Sequence, residues 1–234
     1  MSLVALILGA GANVGKGVAQ QLKANGYTVV VGSRSTTKVD GASHAVKLDV
    51  TLPETIKTAF AETEKIAGPP NVVVFNPSGF SPPPGDAVSV PLEGFTRDVA
   101  FGTTGLYAAV QEAVAAFRKA PKQAPKAFIY TGNILPFVPA TLPVFLSGGV
   151  SKVAAAYQIQ LFSNSFKEEN FRFYFASQIS RTGGPVTMKQ LSGHAHGVAY
   201  WNLVQRKDQG DWDLRFYEDG SEGPHEPVHL VFQP

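Results

Sequence analysis

The chain has 234 residues, a formal net charge of +2, 44% hydrophobic and 16% charged residues, and no cysteine. That length supports one large domain with a full core, and the composition excludes a disordered chain. The missing cysteines exclude disulfides, thiolate nucleophiles and cysteine-ligated metals, and the scattered lysines and arginines give no reason to expect nucleic acid or a membrane surface as partner.

The elements alternate along the chain. Leu3–Leu8 is a continuous apolar run, as a parallel strand covered on both faces should be. It is short and opens onto a glycine loop, so it reads as a buried strand rather than a signal peptide, and the expected setting is cytoplasmic. Val14–Asn25 has helical spacing and stops at Gly26. Thr28–Val31 and Ala45–Leu48 follow as strands. In "TLPETIKTAFAETEKIAG", Thr51 and Glu54 stand at capping-box spacing, with Pro53 in the first turn and Gly68 past the end. Asn71–Phe75 is a fourth strand, Leu92–Arg118 is mostly helix, Ala127–Thr131 a fifth strand, Gly149–Phe166 a helix and Arg172–Ala176 a sixth strand. This order specifies an α/β fold: a single Rossmann-type domain over residues 1–234, its doubly wound parallel sheet flanked by helices. Beyond Gln178 the pattern weakens. A Gly-rich lid is expected around residues 178–197, then a helix near His196–Gln205 and short strands near Asp213–Tyr217 and Val228–Phe232.

"GAGANVGKG" supplies Gly11, Gly15 and Gly17 in the spacing G-x-x-x-G-x-G, directly after a strand and opening a helix. Glycine is needed there because backbone amides must approach a diphosphate at a helix N-terminus, where unpaired N–H groups and the helix dipole favour anions. Gly9, Gly11, Asn13, Val14 and Gly15 are the expected cradle. Sites that prefer NAD carry Asp or Glu about 20 residues further on, bonded to the ribose 2′-hydroxyl. No acid occurs here before Asp40, and Ser33 and Arg34 end the second strand. Arginine pairs with a 2′-phosphate, so NADP(H) is favoured over NAD(H).

With these motifs on view, the chain resembles the short-chain dehydrogenase/reductase family, and more closely a divergent fungal group of it lacking the catalytic tyrosine. The resemblance implies that "LDV" puts Asp49 and Val50 beside an adenine. "NPSG", Asn76–Gly79, stands where the family writes N-N-A-G, and "GPVT" brings Thr187 near a nicotinamide amide. It also implies that Lys152 is the lysine of the Y-x-x-x-K motif, serving both cofactor and catalysis, and that the protein is a homodimer or homotetramer. Three of its four catalytic positions depart: the asparagine position reads Gly102, the serine position Gly132, or Asn133 with a one-residue shift, and the tyrosine position Gly148. No proton can be exchanged by a glycine side chain, so the usual phenol-mediated chemistry cannot run on these residues.

Asn133 and His196 are the candidate substitutes. Asn133 reads as a donor to a carbonyl or, equally, as a turn former. His196 lies in the expected lid and titrates near neutrality. His194 and His196 without an acidic cluster do not make a metal site, and none is expected. Ser147 reads as a helix cap and Tyr157 as core. Phe80, Pro82–Pro84, Leu135, Phe137 and Phe145 follow strands four and five and form the expected walls of a cleft for an apolar small-molecule substrate. The expected function is an NADP(H)-dependent oxidoreductase acting on an apolar carbonyl or hydroxyl with a non-standard acid–base group. The alternative is a non-redox protein on the same fold: an isomerase, cyclase, aldol-type enzyme or cofactor-binding regulator.

Overall fold

The structure, a computed structural model, describes residues 3–138 and 142–225. Seven parallel strands form one sheet in the order β3-β2-β1-β4-β5-β6-β7. They are β1 Val4–Leu8, β2 Thr28–Ser33, β3 His44–Lys47, β4 Val72–Phe75, β5 Ala127–Thr131, β6 Arg172–Gln178 and β7 Asp213–Phe216. The helices are α1 Val14–Ala24, α2 Pro53–Ala67, α3 Leu92–Gly102, α4 Thr104–Lys119, α5 Leu146–Ser165 and α6 Gly193–Gln205. The expected strand at Val228–Phe232 lies outside the described residues. No described helix is long and apolar enough to cross a membrane.

Each sheet face buries one layer of helices. Ile56, Phe60, Leu106, Phe117 and Ile159 bring α2, α4 and α5 onto one face, and Val18, Leu22, Tyr200 and Leu203 bring α1 and α6 onto the other. Strand order reverses between β1 and β4, which register at Leu8 and Phe75. Their carboxyl ends diverge there, and that crevice is where this class of sheet binds ligands.

The local signals acted as expected in α1. Gly26, at φ +84°, closes the helix with Gly26 N–H to the Lys23 carbonyl and Tyr27 N–H to the Leu22 carbonyl, a Schellman arrangement. They failed in α2. Thr51 does not cap it, because Asp49 Oδ1 accepts from both the Thr51 amide and hydroxyl, and Leu52 takes the capping position. The mostly helical stretch expected over Leu92–Arg118 is two helices, broken at Thr103. The break sits where α3 crosses α5: a Cβ on Gly102 would collide with the Ser151 carbonyl, and Gln158 Nε2 binds the Gly102 carbonyl at 2.8 Å.

Candidate functional site

Two cavities adjoin at the carboxyl edge, sharing Ser78. The first, about 270 Å³, has a mixed polar and apolar lining. Gly9, Ala10 and Gly11 come from the turn after β1, Ser33 from the end of β2 and Arg34 from just beyond it, Asp49–Thr51 from the loop after β3, Pro77 and Ser78 from beyond β4, and Arg97 from α3. Gly9 holds φ +80°, and a Cβ there would lie 2.6 Å from Pro77 Cγ, so only glycine lets the turns after β1 and β4 meet.

The glycines divide the work differently from the sequence expectation. A Cβ on Gly11 meets nothing within 4 Å, so Gly11 faces the open site. Gly15 is buried with Ala10 Cα 2.6 Å from its Cβ position, and Gly17 is pressed against the Gly193 carbonyl of α6. Gly15 and Gly17 therefore serve packing. Val14 belongs to the core, and the Asn13 side chain ties the loop to α6, giving its Nδ2 to the Leu191 carbonyl and taking the Gly193 amide. The backbone amides of Gly11 to Gly15 make no hydrogen bond among the described residues. They sit at the head of α1 with the dipole behind them, the arrangement that attracts a diphosphate.

Arg34 is exposed and forms no ion pair among the described residues. The nearest acid in sequence, Asp40, accepts from Gln20 Nε2 at 2.6 Å. Asp49 lines the cavity and is half-buried. Asn76 does not line it: its Nδ2 binds the Gly9 carbonyl at 2.8 Å, and its backbone amide donates to the Leu8 carbonyl. Its role is to join the ends of β1 and β4. Arg97 was not found from the sequence. It pairs with Asp98, which is fully buried and also accepts from Ser147 Oγ at 2.9 Å. Ser147 is thus a bridge from α5 to the loop after β4, and Phe145 takes the capping position.

The second cavity, about 350 Å³, is mainly apolar. Its walls are Phe80, Ile134, Leu135, Phe145, Pro185, Val186 and Met188, with Gly79, Asn133, Gly148, Lys152, Gln178 and Thr187 among them. Phe80 and Phe145 stand 6.3 Å apart between ring centres. Phe137 is not in the wall: it packs against Phe175 and Trp212 beneath the sheet edge, with the Arg215 guanidinium over its ring. Pro82–Pro84 are also absent from the lining. The segment over the cavity is shorter than expected, because β6 extends through Gln178 and α6 begins at Gly193. Gln178 fixes its base, with Nε2 on the Gln190 carbonyl and Oε1 on the Ser192 amide, and Thr187 gives both its amide and hydroxyl to Gln190 Oε1.

Lys152 is the one ionisable side chain in this lining among the described residues. It is 5% exposed, and Nζ donates to the Thr131 carbonyl at 2.7 Å and lies 4.5 Å above the Tyr130 ring. Burial lowers its pKa to about 7. Gly148 lies one turn earlier on the same face, and a Cβ there would meet only the Gly79 carbonyl, at 3.7 Å. The other two departures are closed: a Cβ on Gly132 collides with the Phe175 ring and lies 2.7 Å from Ser177 Oγ, and Gly102 is sealed by Ser151. Asn133 Oδ1 accepts from the Leu135 amide at 3.1 Å, so it does form a turn, and its Nδ2 makes no bond among the described residues.

His196 is not brought to the cavity. It is 1% exposed inside α6, edge-on to Phe216 at 4.9 Å, with Nδ1–H donating to the Ser192 carbonyl. Burial depresses its pKa to about 4, so the ring is neutral. The reason is local: Ser192 Oγ accepts from the Ala195 amide and starts the helix early, and positions 196, 199, 200 and 203 share its buried face. That periodicity was legible and outweighs the His-x-His reading. Tyr130 and Tyr200 do not replace the missing phenol either. Both are fully buried with pKa values pushed up by desolvation, and Tyr200 donates its hydroxyl to Thr131 Oγ1.

A glycine-rich turn at the switch point, a crevice lined by Arg34 and Arg97 beside it and an apolar cavity carrying one lysine define an α/β protein of the doubly wound class, with its open crevice where that class of sheet binds ligands. The chain belongs to the short-chain dehydrogenase/reductase family. Residues 9–130 match the family model described as enoyl-(acyl carrier protein) reductase. Over 225 residues the chain is 33% identical to the short chain dehydrogenase/reductase dmxR12 of Cryptosporiopsis sp. (strain 8999), covering 90% of each. Among solved structures, a 3-oxoacyl-[acyl-carrier protein] reductase from Brucella melitensis in complex with NAD superposes with a TM-score of 0.78 at 17% identity, covering 94% of this chain and 96% of that one. A metagenomic short-chain oxidoreductase in complex with NADP gives 0.76 at 14% identity, covering 93% and 98%.

Proposed function

We propose that the protein is an NADP(H)-dependent oxidoreductase interconverting an apolar carbonyl compound and its alcohol, with Lys152 carrying the proton. One observation supports this most: the apolar cavity opens beside the nucleotide crevice and holds Lys152 as its sole ionisable side chain among the described residues. NADP(H), when bound, supplies or accepts the hydride. The amides of Gly11 to Gly15 hold its diphosphate, Ser33 and Arg34 its 2′-phosphate, Asp49 and Val50 the adenine side, and Lys152 with Thr187 the nicotinamide end. The NAD and NADP complexes of the structural neighbours are consistent with a nicotinamide cofactor, and Arg34 is the reason to favour NADP(H).

Asn133 Nδ2 donates to the substrate oxygen and Lys152 delivers the proton. An amine whose pKa is near 7 is populated in both forms at neutral pH, which suits an acid in one direction and a base in the other. The open space at Gly148 lets the substrate approach the amine where a phenol would intervene. The protein is further proposed to be a homodimer or homotetramer. Val150, Val153, Tyr157 and Leu161 form an exposed apolar stripe along α5, and Tyr157 stands there rather than in the core.

A second reading is favoured by the closed positions at Gly102 and Gly132: a cofactor-binding protein without redox turnover. Isothermal titration with NADPH and NADH, followed by single-turnover oxidation of bound NADPH with quinones and aryl ketones, separates the two. Tighter NADPH binding that Arg34→Ala removes is expected, with turnover falling about 10²- to 10⁴-fold in Lys152→Met. Equal affinity for the two cofactors overturns the 2′-phosphate assignment, and full turnover in Lys152→Met overturns the lysine. Tight NADPH binding with no acceptor reduced supports the second reading.

A further inference from the structure

A third cavity, about 420 Å³, opens at the opposite, amino edge of the sheet. It lies where β5 and β6 begin and where α4 and α6 end. Five cationic side chains line it, Lys122, Lys126, Arg172, Arg206 and Lys207, against one carboxylate, Glu169. Glu169 is already taken by Arg118 through two bonds of 2.8 and 2.9 Å, and Arg206 is paired with Glu222 at 2.9 Å.

Two of these cations are buried with no carboxylate within ion-pair distance among the described residues. Lys126 is 8% exposed and Arg172 only 2%. Lys126 Nζ donates to the carbonyls of Pro121, Lys122 and Ala124, and Arg172 Nη2 reaches the Val204 carbonyl at 3.3 Å. These are loop and helix-end carbonyls, whose partial negative charge attracts cations. They account for Lys126 but not for Arg172, whose Nε and Nη1 are buried with no hydrogen-bond partner among the described residues. Burial lowers the Arg172 pKa and outweighs the opposing influence of Tyr174, Tyr27 and the exposed Asp208. The two buried cations also oppose each other: Arg172 adds to the desolvation that lowers the Lys126 pKa. A buried guanidinium without a counter-charge is costly to a folded protein.

We propose that this cavity is a binding site for a small phosphoryl-bearing molecule with two or more negative charges. Such an anion supplies the missing counter-charge to Arg172 and relieves its repulsion with Lys126, while Lys122 and Lys207 at the rim engage its outer oxygens. Guanidinium and ammonium groups together suit tetrahedral phosphoryl oxygens, and the cavity is larger than a single phosphate requires. The half-buried Trp201 provides an apolar wall for the rest of the molecule. The site lies across the sheet from the glycine loop and does not depend on the proposed redox activity.

The test is isothermal titration of inorganic pyrophosphate into the full chain, with tricarballylate at matched ionic strength as the carboxylate control. The Gly11→Val, Arg34→Ala double variant disables the expected nucleotide site, its diphosphate cradle and its 2′-phosphate position together, Arg172→Met removes the buried cation, and Lys122→Glu with Lys207→Glu reverses the rim should Arg172→Met not fold. Pyrophosphate is expected to bind the unaltered chain and the Gly11→Val, Arg34→Ala double variant alike, and to bind at least about tenfold more weakly in the other two variants, the equivalent of about 1.4 kcal/mol. Binding unchanged in the rim variant, lost in the Gly11→Val, Arg34→Ala double variant, or absent throughout overturns the site. Equal binding of tricarballylate overturns the phosphoryl assignment.

Discussion

Lys152→Met should change stability in a pH-dependent way. Lys152 is almost fully buried, and its pKa falls from the ordinary 10.5 to about 7. Because folding lowers this pKa, the unfolded chain holds a proton that the folded chain lacks between about pH 7 and 10.5, so the group's contribution to stability rises with pH through that window. Below pH 7 both states are protonated and the full cost of the buried charge remains. At about 1.4 kcal/mol per pH unit, the wild type gains roughly 3 kcal/mol from this group between pH 6 and 9.5. Methionine has similar bulk and no charge, so the variant lacks that gain. It also leaves the Thr131 carbonyl without the Nζ–H donor 2.7 Å away, a loss of about 1–3 kcal/mol at any pH. Urea unfolding of both proteins at the two pH values reads the difference, and other titrating groups cancel in it. The variant should be favoured near pH 6 relative to its standing near pH 9.5 by roughly 3 kcal/mol. A stability difference that does not change with pH would refute the placement of Lys152 as a buried amine of lowered pKa.

Gly11→Val should leave the melting temperature nearly unchanged and weaken nucleotide binding at least tenfold, by calorimetric titration, because its side chain enters the open site. Gly17→Val should instead destabilise the fold, by about 1–3 kcal/mol in denaturant titration, since its side chain meets the Gly193 carbonyl of α6. If both variants fold and only Gly17→Val loses the nucleotide, the division of roles between the glycines is wrong. Tyr157→Glu puts a charge in the exposed stripe of α5 and should shift the protein to monomer in light scattering behind a sizing column. An unchanged mass would mean that this face is not the interface.

The fold was legible because its signals are local. Ala127–Thr131 has the same bounds in the sequence reading and in the structure, since a buried parallel strand writes itself as a continuous apolar run. Gly26 ended α1 for the same kind of reason: a left-handed residue is a property of one position. The glycine turn, Ser33–Arg34 and Lys152 were found through fixed spacing along the chain. What the chain alone did not decide are the facts that depend on crossings between distant segments. Arg97 reaches the crevice at the switch point because α3 passes over the loop after β3. Phe137 turns under the sheet edge because Phe175 and Trp212 leave a place for it. Gly102 and Gly132 read alike with Gly148 as lost side chains, yet the first two are filled by neighbours and the third is open. Residue type and periodicity determine which elements form and which faces are apolar. Whether a position is empty, sealed or charged in a dry environment depends on atoms contributed from elsewhere in the chain, and only tertiary packing brings those atoms together.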